Sequence, residues 1–139
     1  MSTSCFNKLV GRRIIRLDAS RCRAFLVFYD DKGETYLFET VPDCCNSVWV
    51  EHFNGLECLL GNAILSSGET EWQVVESDED DVLETCIWSI KTAKGVFEME
   101  VRNSHNGYYG GDIEYKGTIT DLGRAFFESN DLVQVLHDS

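Results

Sequence analysis

Side chains along much of this chain alternate between apolar and polar at every second residue, and that period commits it to sheets. Phe97, Met99 and Val101 alternate with Glu98, Glu100 and Arg102; Cys86, Trp88 and Ile90 with Ser89 and Lys91; Trp72 and Val74 flank Gln73; Ile113 and Tyr115 alternate with charged neighbours. A helix would scatter these positions around its circumference, whereas a strand sends successive side chains to opposite faces. Each segment therefore predicts a strand with one core face and one wet face, as in an antiparallel meander. Residues 13–18 begin the sheet. Residues 24–29 are apolar on both faces and predict a central strand covered on both sides, after which Asp30-Asp31-Lys32-Gly33 turns the chain into a partner strand over 35–40.

One segment keeps a different period. Trp49, Phe53, Leu56 and Leu60 are spaced as a helical stripe, with Asn46 or Ser47 placed to cap its start and Gly61 to stop it, although Gly55 weakens the pattern. Leu122, Ala125 and Phe126 predict a second short helix over 121–128, followed by a strand-like 132–136. The expectation is an α+β fold: a single domain over residues 1–139, mainly antiparallel sheet of about seven strands, with one or two short helices. Its core is expected to contain Phe25, Val27, Phe38, Trp49, Phe53, Leu60, Trp88 and Phe97.

Length and composition bound the function. A chain of 139 residues with 43% hydrophobic and 12% aromatic residues can fold around one core. Its 24 acidic against 12 basic residues give a net charge of -12. That charge repels phosphates, and the basic clusters at Arg12-Arg13 and Arg21 to Arg23 are small, so direct nucleic-acid binding is not expected and a basic protein surface is. The longest apolar run, 24–29, is far too short for a membrane span, and no apolar leader opens the chain, so a cytoplasmic protein of a bacterial host cell is expected.

In that compartment Cys5, Cys22, Cys44, Cys45, Cys58 and Cys86 are expected to be free thiols that pack as small hydrophobes. Cys44 and Cys45 follow Pro42-Asp43 before the predicted helix, where a helix dipole favours thiolate, but adjacent cysteines are not the CxxC spacing of redox or zinc sites. His52 and Cys58, six apart, fall on different faces of a helix and make a poor pair of metal ligands. His105 and His137 have no partner fixed by sequence, and no phosphate loop, nucleophile elbow or paired metal motif is present. Neither metal nor cofactor is expected, and no catalytic residue is assigned.

Two segments stand out as binding candidates. The run Glu76, Ser77, Asp78, Glu79, Asp80, Asp81 joins two predicted strands; it reads as a solvated loop or as an acidic docking surface for a basic partner. The second, residues 102–111, interrupts the strand pattern with more residues than chain reversal needs, since Asn106-Gly107 alone would make a hairpin turn. Arg102, Asn103, His105 and Asn106 supply polar contacts, Tyr108 and Tyr109 stiff aromatic area, and Gly110 and Gly111 room for close approach. The same groups also suit a loop that braces itself.

The blocks Asp43-Cys44-Cys45-Asn46-Ser47-Val48-Trp49, Leu56-Glu57-Cys58-Leu59-Leu60-Gly61 and 102–111 together resemble an uncharacterised family of small phage and bacterial proteins, which pairs a double cysteine with an RNSSNGYYGG block. Here His105 stands where that block has serine. The resemblance covers roughly residues 9–115 and leaves 117–139 as a chain-specific extension. It implies a shared fold and a phage or prophage setting, and no reaction. The expected function is a non-enzymatic, acidic, phage-encoded protein that binds a host protein, such as a defence factor, and inhibits or redirects it. Two alternatives belong to other classes: a small-ligand binder that stacks a nucleotide-like base on Tyr108 or Tyr109 and holds its phosphate with Arg102, and an enzyme using Cys44 or Cys45.

Overall fold

Each alternating segment forms a strand. In the computed structural model, which describes residues 4–42, 46–79, 81–105, 111–117 and 131–137, the strands are β1 (Ile14–Ser20), β2 (Phe25–Asp30), β3 (Thr35–Pro42), β4 (Ser47–Asn54), β5 (Ile64–Glu69), β6 (Gln73–Ser77), β7 (Val82–Thr92), β8 (Gly95–His105), β9 (Gly111–Gly117) and β10 (Leu132–Gln134). Among the described residues, helix is confined to a 3-10 turn at Cys5–Leu9 and a single turn, α1 (Leu56–Leu59). The expected α+β class with about seven strands is thus corrected to a mainly β fold, with ten strands among the described residues. The predicted helix over 121–128 lies outside the described residues.

The strands form two antiparallel sheets, ordered β10-β1-β2-β3-β9 and β4-β8-β7-β5, with β6 also paired to β7. Their inner faces share one core. Leu17, Leu26, Phe28, Tyr36, Phe38 and Ile113 come from the first sheet; Val50, Phe53, Trp88, Ile90, Phe97, Met99 and Val101 come from the second. Phe6 wedges in from the 3-10 turn, its ring 4.5 Å from that of Phe38 and 5.8 Å from that of Phe28. At one corner the chain stitches the sheets together: Gly11 N–H donates to the Ile64 carbonyl at 2.8 Å and Ile64 N–H to the Arg12 carbonyl at 2.9 Å.

Strand β2 is buried on both faces, as its composition requires. Leu26 and Phe28 enter the shared core, while Val27 lies opposite Leu37 on the other face and both are inaccessible. Of the expected core, Val27, Phe38, Phe53, Trp88 and Phe97 are buried. Phe25, Trp49 and Leu60 are only half-buried. Phe25 is out of phase with Leu26 and Phe28, and Trp49 points outward, donating through Nε1 to Glu51 at 2.6 Å.

The helix expected from Trp49 to Leu60 is a strand followed by one helical turn. Its inward residues are Val48, Val50 and Phe53, and the irregular step between 50 and 53 is a β-bulge against β8. A bulge inserts one residue and shifts the phase, so a spacing of two becomes three and imitates a helical stripe. Gly55, at φ 82°, then turns the chain into α1 with its Cα against the Val96 carbonyl, where a side chain would not fit.

Strand β5 carries only Ile64 into the core, and its Ser66-Ser67-Gly68 reads locally as loop. It forms because β7 is eleven residues long and offers an open edge. β5 takes the half of that edge from Trp88 to Thr92, and β6 takes the half from Val82 to Thr85. Thr70 patches the break between them: its N–H donates to the Ile87 carbonyl at 2.9 Å and its hydroxyl accepts from the Ile87 N–H at 2.9 Å.

Candidate functional site

Sheet register brings together the two segments that are 20 or more residues apart in sequence. Across the end of the second sheet, Val82 is paired with Ser77 on one side and His105 on the other, and Leu83 is paired with Glu76 and Ser104. The acidic run is therefore the tip of the β6–β7 hairpin, lying beside the end of β8. Asp78 N–H donates to the Asp81 carbonyl at 2.9 Å, and the Asp78 carboxylate accepts from Asp81 N–H at 3.0 Å. A shallow groove of about 490 Å³ runs along this tip, lined by Glu76, Ser77, Asp78, Asp81, Val82, Leu83 and Ser104. Asp80 is outside the described residues.

Among the described residues no lysine or arginine pairs with Glu71, Glu76, Glu79 or Asp81, and all five side chains of β6 are exposed. Val74 and Val75 are 59% and 45% exposed.

The block 102–111 divides into parts with different roles. Arg102, Asn103 and His105 are strand residues, the last of β8. Arg102 lies on the outer face, opposite Trp49 and Thr85, and donates to Glu100 at 3.2 Å; its Nε is buried without a hydrogen-bond partner. Asn103 and His105 continue the inward phase of Phe97, Met99 and Val101 and are 0% and 8% exposed. The Asn103 side-chain Oδ1 accepts from Asn46 Nδ2 at 2.9 Å, and His105 Nε2 is hydrogen-bonded to the Glu84 carboxylate. Gly111 opens β9 against the same cluster, and a Cβ there would lie 2.6 Å from Val48 Cγ2. The close approach that Gly111 permits is thus to its own chain. Asn106, Tyr108, Tyr109 and Gly110 lie outside the described residues.

Glu84 was not singled out by the sequence reading. It belongs to the inward phase of β7 with Cys86, Trp88 and Ile90, and an acid in that phase signals an internal partner.

Cys5, Cys22, Cys58 and Cys86 form no disulfides. Burial pushes the Cys5 thiol up to about 12, helped by Asp112 and Glu69, and pushes Cys86 to about 11 against hydrogen bonding from Thr70. Both stay protonated near neutrality and are poor nucleophiles. Cys22 is exposed and does not fit the packing role expected of it. Cys44 and Cys45 are outside the described residues. His52 sits on the outer face of β4, 4.0 Å from Glu100, well apart in role from Cys58, whose thiol meets the Lys94 carbonyl. Among the described residues no three His, Cys, Asp or Glu side chains are grouped to hold a metal ion, and no helix is long and apolar enough to cross a membrane.

A protein-family model described as Domain of unknown function (DUF7448) matches residues 7–115. No curated protein and no solved structure matches the chain. The family match ends within β9, and β10, which pairs with β1, lies beyond it.

Proposed function

This chain belongs to that family, and on that premise we propose that it is a non-enzymatic binding protein whose partner is a protein with a basic surface. The observation that carries the reading is the β6–β7 hairpin, where Glu76, Glu79 and Asp81 at the tip and Glu71 at the base face solvent, without counter-charges among the described residues, beside exposed Val74 and Val75. Like charges held together on an exposed hairpin repel one another and raise the local negative potential, which speeds encounter with a basic surface and disfavours acidic ones. The exposed valines add apolar area at the same place. In the phage setting that the sequence resemblance implies, the partner is a host protein in the bacterial cytoplasm, and binding inhibits or redirects it.

Tyr108 and Tyr109 come shortly after β8 in sequence, and we assign them to the same partner as aromatic anchors. A phosphate-holding role for Arg102 is less well supported, because its guanidinium is already engaged by Glu100.

The test is affinity capture from host lysate with the parent chain and with the variant Glu76→Gln/Glu79→Gln/Asp81→Asn, followed by mass spectrometry. The expected result is one stoichiometric basic partner, retained by the parent, lost by the variant and released by added salt. A partner held equally by both proteins overturns the reading. Tyr108→Ala and Tyr109→Ala should leave the fold intact and weaken that complex by about 2 kcal/mol or more.

A further inference from the structure

Strand β6 has no core to justify its order. Fixing five residues in extended conformation costs conformational entropy, and burial of side chains ordinarily offsets that cost, yet every side chain of β6 is exposed. What holds it is the ladder to β7 along one edge and, at its base, Trp72 packed edge-on against Trp88 at 5.9 Å. Among the described residues its other edge pairs with no strand. Natural edges are usually blunted by charge, proline, a bulge or cover from another element; this one is short and its register shifts between Val74 and Glu76, but among the described residues Gln73-Val74-Val75 carries no charge, no proline and no covering strand.

Resting on the basic-partner reading above, we propose that the free edge of β6 receives an extended, basic segment of the partner as an added antiparallel or parallel strand. Backbone hydrogen bonds would supply affinity, as in other strand-addition complexes, and alternate side chains of the incoming segment would meet Val74, Val75 and the flanking carboxylates. Charge selects the occupant. Glu71, Glu76 and Glu79 flank the bare centre, so a second copy of this chain would place acids against acids, whereas a lysine- or arginine-bearing segment places cations against them. The carboxylates thus guard the edge against self-pairing and leave it open to a partner of opposite sign.

The probe is a seven-residue peptide of alternating lysine and valine, added to the full chain, with backbone hydrogen exchange and peptide anisotropy as readouts. Protection should appear at residues 73–77, and a peptide N-methylated at alternate residues should bind at least tenfold more weakly. Val75→Pro is the matching protein variant. Val75 has no Cα partner in the ladder because the register shifts between Val74 and Glu76, so the β7 pairing should survive while peptide affinity falls at least tenfold. Equal binding of the N-methylated peptide, protection confined to other strands, or concentration-dependent dimerisation through β6 overturns strand addition. If Val75→Pro keeps the captured host partner while the charge-neutralised variant loses it, strand addition fails and the basic-partner reading stands.

Discussion

The molecule uses its acids in two opposite ways, seen in two hairpins. Around the β2–β3 hairpin carboxylates are structural. Asp30 is 1% exposed and accepts from the N–H groups of Lys32 at 2.9 Å and Glu34 at 2.8 Å and from the Tyr36 hydroxyl at 3.1 Å, so it ties the β2–β3 hairpin together. Asp18 accepts from Arg16 at 2.9 Å and Tyr29 at 2.8 Å. On the β6–β7 tip of the second sheet, Glu76, Glu79 and Asp81 hold nothing comparable. The same side-chain chemistry therefore stabilises one hairpin and leaves the other charged toward solvent, which a net charge of -12 alone does not reveal.

The contrast can be broken most sharply at Asp30. Asp30→Ala leaves the part-buried N–H groups of Lys32 and Glu34 without their acceptor, while the Tyr36 hydroxyl keeps Glu34 at 3.0 Å, and should cost about 2–3 kcal/mol in denaturant unfolding. A loss below about 1 kcal/mol would make the two hairpins equivalent. Asp18→Ala, with fewer partners and a half-exposed Arg16, should cost about 1–2 kcal/mol. The pH profile sharpens the distinction. Burial alone would raise the Asp30 carboxyl, but the Glu34 and Lys32 N–H groups, Tyr36 and the nearby Arg12 charge hold it below the ordinary carboxylate value. A group depressed in the folded state contributes its full stability above its unfolded value, about 3.9, and loses it as pH falls through the folded value. The stability gap between parent and Asp30→Asn should accordingly be flat from pH 7 to about 5 and close below about pH 4. The smallest effect is expected at the tip: Glu76→Gln/Glu79→Gln/Asp81→Asn should change unfolding free energy by no more than about 0.5 kcal/mol, and in the stabilising direction, because it relieves repulsion. A larger loss there would show that these acids have a structural task.

Much of the sheet was legible because period two survives wherever a strand has one buried face: β7, β8 and β9 follow directly from Trp88, Phe97, Met99 and Ile113. What failed has local causes. The bulge in β4 converts the spacing of Val50 and Phe53 into a helical one, and β5 has so little burial of its own that only the free edge of β7 makes it a strand. The polar end of the second sheet was misread for a different reason. Asn103 and His105 keep the phase of Phe97, Met99 and Val101, and extending that phase past Arg102 would have placed both inside. Polar residue types suggested a loop, whereas their partners Asn46 and Glu84 lie 57 and 21 residues away in sequence and are visible only in the assembled sheet.

The Thr70 patch divides a single strand into two mechanical regimes. Residues 88–92 of β7 lie between β5 and β8 over the core, while residues 82–85 lie between β8 and a partner strand, β6, that buries nothing. Opening of the β6–β7 tip can thus stop at Thr70 without disturbing Trp88 or Ile90, as a page folds along a perforation. Amides bonded across the β6–β7 ladder should then exchange with solvent by local opening, and those of the core half of β7 only by global unfolding.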